Sequence, residues 1–155
     1  MFQIHALPGK AFSHLSTLSP PELEQRGIQK QIVDVMPGYP CRVSLVDAAI
    51  GETVFLLNYI HQAAATPYRA SHAIYIREGA RQASPRPGEV PDVLSSRLIS
   101  IRGFDEHHMM IEANVAEGIK LGGLLEAIFK RPEIAYVHLH NAKPGCFAAS
   151  VTRAS

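Results

Sequence analysis

Three groups of residues in this chain have the types and spacing that chemistry requires. Arg42 and Arg69 each stand close to a proline and a tyrosine, in Tyr39-Pro40-Cys41-Arg42 and Pro67-Tyr68-Arg69. A planar guanidinium held by neighbouring rings suits two-pronged capture of a carboxylate or phosphate, and Asn58 and Ser71 can add donors. Arg42, Asn58, Tyr68, Arg69 and Ser71 are therefore the expected ligand-binding residues, and their ligand a small anionic molecule. The structural alternative for each arginine is one buried ion pair, for instance to Asp47 or Glu52.

The second group centres on Cys146. It follows Pro144-Gly145, a turn that presents the thiol at the start of a strand, and Asn141, His140 and His138 lie just upstream. Thiol, imidazole and amide are what a nucleophile, its base and the base's orienting group need. Cys146, His72 and His140 form the expected catalytic set, against the commoner role of a free cysteine as a small buried hydrophobe.

Eight histidines supply the third group. His138-x-His140 sets two imidazoles on one face of a strand, about 7 Å apart along it, a spacing used by metal sites. A third ligand can come from His61, His72, Cys146 or the Glu106-His107-His108 turn. Neither His-Glu-x-x-His nor paired Cys-x-x-Cys occurs, so the metal reading stands as an alternative to two imidazoles lining a solvated sheet face. No Walker pattern and no G-x-G-x-x-G is present, and no cofactor is expected.

Strands and turns must position these groups. Residues 2–7 suit a short first strand. Ser19-Pro20-Pro21-Glu22 matches a capping box with proline in the first turn, and Gly27 can end the short helix it opens. Residues 29–35 read as a strand stopped by Pro37-Gly38. Period-two alternation over 41–47 predicts another, with Cys41, Val43 and Leu45 on one face and Arg42 and Ser44 on the other.

Residues 54–61 read as a central strand with Asn58, Tyr59 and His61 towards its end, and 71–77 as an alternating strand that puts His72 with Ile74 and Ile76. After a long proline-containing loop and a helical turn at 93–96, 97–104 and 108–115 read as a hairpin. Its second strand groups Met109, Ile111, Ala113 and Val115. Apolar residues at helical spacing predict a long helix over 117–131, in which Gly122 and Gly123 suggest that a neighbour approaches the backbone. Two strands, 135–141 and 146–153, close the chain.

At 155 residues the chain suits a single domain of ordinary size. Hydrophobic residues make up 46% and charged residues 19%, which is globular composition and argues against disorder. A net charge of +1 gives no case for nucleic-acid or anionic-membrane binding. No basic leader precedes an apolar run at the N-terminus and no segment is long enough to span a bilayer, so a soluble cytoplasmic protein is expected. Two cysteines are too few for a disulfide framework.

Four blocks taken together carry a resemblance: Pro37-Gly38-Tyr39-Pro40-Cys41-Arg42, Leu57-Asn58-Tyr59-x-His61, Pro67-Tyr68-Arg69-x-Ser71-His72-Ala73-Ile74, and His138-x-His140-Asn141-Ala142-x-Pro144-Gly145-Cys146. In this order they resemble a family of small bacterial proteins known as a domain of unknown function. The resemblance implies a free-standing bacterial domain and assigns no activity.

The expected fold is α+β: a mainly antiparallel sheet covered on one face by one long helix, with a short N-terminal helix. The leading functional expectation is a pocket that holds an anionic ligand through Arg42 and Arg69. The alternatives are a cysteine-nucleophile enzyme and a non-catalytic protein that uses its arginine and aromatic residues in a homo-oligomer interface.

Overall fold

Most alternating and β-branched runs become strands in the computed structural model, which describes all 155 residues. The strands are β1 (Phe2–His5), β2 (Gln29–Ile32), β3 (Thr53–Gln62), β4 (Ala70–Arg77), β5 (Leu98–Phe104), β6 (Met110–Glu117), β7 (Tyr136–Asn141) and β8 (Phe147–Arg153). Helices α1 (Pro20–Gln25), α2 (Asp92–Ser95) and α3 (Leu121–Ile128) are short. A five-stranded sheet has the order β1-β8-β7-β5-β6 and a three-stranded sheet the order β2-β3-β4. The pairings of β1 with β8, β2 with β3, β5 with β6 and β7, and β7 with β8 are antiparallel. The mixed, mostly antiparallel architecture matches the expectation, but it comprises two sheets.

The chain divides into two compact units, and β3 and β4 contribute residues to both. The first unit comprises Met1–His5, Ile60–His72 and Ser84–Ser155 and contains the five-stranded sheet. Its strands bury Ile99 and Ile101 of β5 and Val137 and Leu139 of β7, as alternation predicts. Each such side chain contributes on the order of 2 kcal/mol by leaving water. Polar residues of the same strands take the opposite face: Ser100 and Arg102 on β5, His138 and His140 on β7.

Asp105 shapes the β5–β6 turn, accepting backbone N–H bonds from His107 at 2.9 Å and Met109 at 3.0 Å. Strand β6 forms one edge of the sheet, and its Ile111 and Val115 are exposed, Val115 at 57%.

The long helix over 117–131 does not form, and no long helix covers a sheet face. Helix α3 has eight residues and follows a 3-10 turn at Gly118–Lys120, while Glu117 is the last residue of β6, opposite Leu98. The reason lies at Gly118. Its N–H donates to the Arg97 carbonyl at 2.7 Å, and a Cβ there would sit 1.9 Å from the Leu94 carbonyl oxygen. Ladder pairing and this close approach hold residues 117 and 118 outside the helix, and Gly122 and Gly123 lower helix propensity beyond it. The crowded glycine is thus Gly118, since a Cβ on Gly123 would meet nothing within 4 Å.

The second unit comprises Ala6–Tyr59 and Ala73–Ala83. The predicted capping box opens α1: the Ser19 hydroxyl accepts from the Glu22 N–H, and the Glu22 carboxylate accepts from the Ser19 N–H. The predicted strand over 41–47 is instead a tight reversal. The Leu45 N–H donates to the Cys41 carbonyl at 3.0 Å, the Cys41 N–H donates to the Val46 carbonyl at 3.1 Å, and Leu45 takes a φ of 53°. Burial of Cys41, Val43 and Leu45 offsets the cost of that left-handed residue. Apolar alternation here marks residues turned inward by a turn, not one face of a strand.

Candidate metal centre

Strand alternation brings His138 and His140 to the same face of β7, and the end of β3 supplies His61, all within the first unit. One ring nitrogen from each of the three lies within 4.8 Å of the others. The His61 and His140 rings meet edge to face with centroids 4.7 Å apart; His138 stands 6.2 Å from His61 and 6.4 Å from His140. Phe147 backs the group, stacked on His61 at 5.8 Å and edge-on to His138 at 5.3 Å. His140 is 0% exposed and His138 is buried, while His61 is half-buried.

Each ring carries a buried nitrogen with no protein hydrogen-bond partner: Nδ1 of His61, Nδ1 of His138 and Nε2 of His140. The other nitrogen of His140 is satisfied, since Nδ1 lies 3.0 Å from the Gly145 carbonyl oxygen. A carbonyl can only accept, so Nδ1 carries the proton and Nε2 presents a lone pair. Metal-bound histidines are fixed in this way, with the second nitrogen tied to a backbone carbonyl.

Burial keeps the imidazoles uncharged. It lowers His138 to about 4, and the Arg102 charge and any protonation of His61 act in the same direction. His140 falls to about 3 because burial outweighs the upward pull of the bond to Gly145. His61 is lowered first by burial, then by the charges of Arg102 and His72. Neutral imidazole is the form that ligates metals.

Arg102 and Ser100 of β5 complete this face. Arg102 is the register partner of His138 and Ser100 that of His140. The Arg102 Nε–H donates to the Ser100 hydroxyl at 3.2 Å, and burial lowers the ionisation of the half-buried guanidinium. Neither residue was among the expected site groups. Their signal was present in the sequence: Ser100 and Arg102 alternate with Ile99 and Ile101 in a strand whose other residues are apolar.

The expected residues are distributed differently from the histidines. Cys146 is buried beside Asn141, whose Nδ2–H donates to its sulfur at 3.6 Å. His72 is half-buried, and its Nε2 lies 4.0 Å from where a Cβ on Gly145 would stand. Arg69 is exposed and donates to the Ala63 carbonyl, Ser71 is exposed, and the Tyr68 ring meets Phe104 edge to face at 6.2 Å. Arg42 and Asn58 belong to the second unit. There Arg42 is 2% exposed and donates to the Pro40 carbonyl at 2.5 Å, while Asn58 is exposed. The second unit also has a surface cavity of about 360 Å³ beside Lys10, Phe12 and Arg77, but it holds no histidine or cysteine.

No helix is long and apolar enough to cross a membrane. No curated protein and no solved structure matches the chain. A family model described as "Protein of unknown function (DUF1203)" matches residues 38–153, a span that includes His61, Arg102, His138 and His140, and the chain belongs to that family.

Proposed function

We propose that the protein binds a divalent transition metal, Zn²⁺ or a similar borderline ion, through His61, His138 and His140. Two observations support this reading: one nitrogen from each ring lies within 4.8 Å of the others, and each ring carries a buried nitrogen without a hydrogen-bond partner. Leaving three such groups unsatisfied costs roughly 1–3 kcal/mol each. Edge-to-face ring contacts return about 0.5–1.5 kcal/mol per pair, which does not cover that cost. A metal ion accepts a lone pair from each of three neutral rings at once, from His140 through the Nε2 that its bond to Gly145 leaves unprotonated.

Tetrahedral Zn–N bonds of about 2.0–2.1 Å require nitrogens roughly 3.3 Å apart, so binding draws the rings inward by side-chain rotation. Three protein ligands leave a fourth position, as in sites where a metal polarises a bound water or carbonyl.

The test is zinc titration of chelator-stripped protein at pH 7.5 with elemental analysis of the product. One tightly held equivalent is expected. His61→Ala, which removes a half-buried ligand and leaves both β7 histidines in place, should weaken binding by roughly a hundredfold or more. Zinc at 100 times its dissociation constant should add about 2.7 kcal/mol to stability. Less than a tenth of an equivalent retained, with no thermal shift, overturns the proposal.

A further inference from the structure

We infer that this centre takes a small oxyanion, one oxygen on the metal and the remainder held by Arg102. The inference rests on the metal reading of the preceding section and follows from the charges around it. All three ligands are neutral imidazoles, and no aspartate or glutamate joins the cluster. A divalent ion therefore keeps its full charge there.

Arg102 adds a second positive charge on the same sheet face, across the ladder from His138, and its influence reaches all three imidazoles. Its guanidinium bonds to the Ser100 hydroxyl and makes no ion pair with a carboxylate. A cation and a guanidinium side by side in a partly buried site repel each other unless an anion lies between them.

The arrangement is also suited to holding one. Through Nε, Arg102 donates to the Ser100 hydroxyl at 3.2 Å, which orients the guanidinium and leaves its two terminal NH₂ groups as a fork. The Ser100 hydroxyl, accepting from Arg102, keeps its own proton to donate.

The experiment uses Co²⁺, whose visible bands report binding and coordination. Apparent Co²⁺ affinity is measured at pH 7.5 in a chloride-free, non-coordinating buffer, alone and with acetate or inorganic phosphate. Wild-type protein should bind Co²⁺ roughly tenfold more tightly, with altered bands, when one of the anions is present. Acetate as the effective anion assigns a carboxylate ligand, and phosphate a phosphate-type one.

In Arg102→Gln the anion effect should disappear, while anion-free Co²⁺ binding is retained or strengthened because the like charge is gone. That retained binding also shows that the variant has folded. Equal affinity with and without both anions in the wild type, or an unchanged anion effect in Arg102→Gln, overturns the inference and leaves the metal centre standing. Absence of cobalt bands in the wild type under every condition removes the metal reading and this inference with it.

Discussion

The His140 ring donates through Nδ1–H to the Gly145 carbonyl at 3.0 Å, and this contact decides which nitrogen of a fully buried imidazole is left for other chemistry. The carbonyl is available because Gly145 turns the chain between β7 and β8 with a φ of 83°. Its own N–H donates to the Asn141 carbonyl at 2.8 Å, and the Asn141 N–H to the Cys146 carbonyl at 2.9 Å. The Pro-Gly turn therefore does more than reverse the chain. It fixes the tautomer of a residue five positions earlier.

The first prediction concerns that tautomer. In metal-free protein near pH 7, long-range ¹H–¹⁵N correlation spectra should show His140 as the Nδ1–H form, with the unprotonated nitrogen signal on Nε2. Zinc should then move the Nε2 resonance and leave the Nδ1 proton in slow exchange. An Nε2–H tautomer in the metal-free protein would contradict the arrangement.

Acid should destabilise the metal-free protein over a defined range. Unfolded histidine titrates near 6.5, while His138 and His140 in the fold are lowered to about 4 and about 3, with Arg102 and His61 reinforcing the effect of burial. The unfolded chain therefore binds more protons between these limits. The contribution of neutral histidine is complete above pH 6.5 and is lost as pH falls towards the folded values, at a total cost of a few kcal/mol. Urea melts from pH 7.5 to 4 should show this slope, and His138→Gln should remove about one proton from it. Stability independent of pH across that range would refute the prediction.

A thiol in the second unit has a structural role. Cys41 is 1% exposed, and its sulfur accepts the backbone N–H of Arg77 at 3.2 Å and of Ser44 at 3.5 Å. Sulfur is a weak acceptor, so much of the loss on truncation comes from the cavity. Cys41→Ala should cost roughly 2 kcal/mol in urea denaturation, and Cys41→Ser less, because its hydroxyl still accepts. Iodoacetamide should leave Cys41 unlabelled until the protein unfolds; rapid labelling of the native state would show that the turn opens.

Much of this architecture was legible in the sequence, and the exceptions have specific causes. The α1 capping box, the paired face of His138 and His140, and the strands carrying His61 and Arg102 follow from spacing alone, because backbone geometry there obeys local rules. The turn at Cys41–Val46 has no glycine or asparagine at its left-handed position; Leu45 occupies it, held by tertiary burial that no local pattern reports. His61 was one of several candidates for a third ligand, because its meeting with β7 joins residues more than seventy positions apart. For Arg102 the alternation with Ile99 and Ile101 marks a polar face of the strand, but which residues share that face depends on its register partner, His138, which no local pattern reports.

The glycines around α3 provide the last prediction, since two of them should respond to the same substitution with opposite signs. A Cβ on Gly118 would lie 1.9 Å from the Leu94 carbonyl oxygen and 2.7 Å from that of Arg97. Both atoms are backbone, so relief requires the α2–β5 connection or the end of β6 to move, and the Gly118 N–H bond to Arg97 at 2.7 Å is strained with it. Gly118→Ala should therefore cost more than about 3 kcal/mol. Gly123 lies inside α3 with nothing within 4 Å of the added methyl. There alanine only removes conformational freedom from the unfolded chain and improves helix propensity, so Gly123→Ala should stabilise by up to about 1 kcal/mol. Urea midpoints of the two variants at equal m-value provide the comparison. A neutral Gly118→Ala would mean that β6 and the 3-10 turn are not held against residues 94–97, and the short α3 would then need another cause.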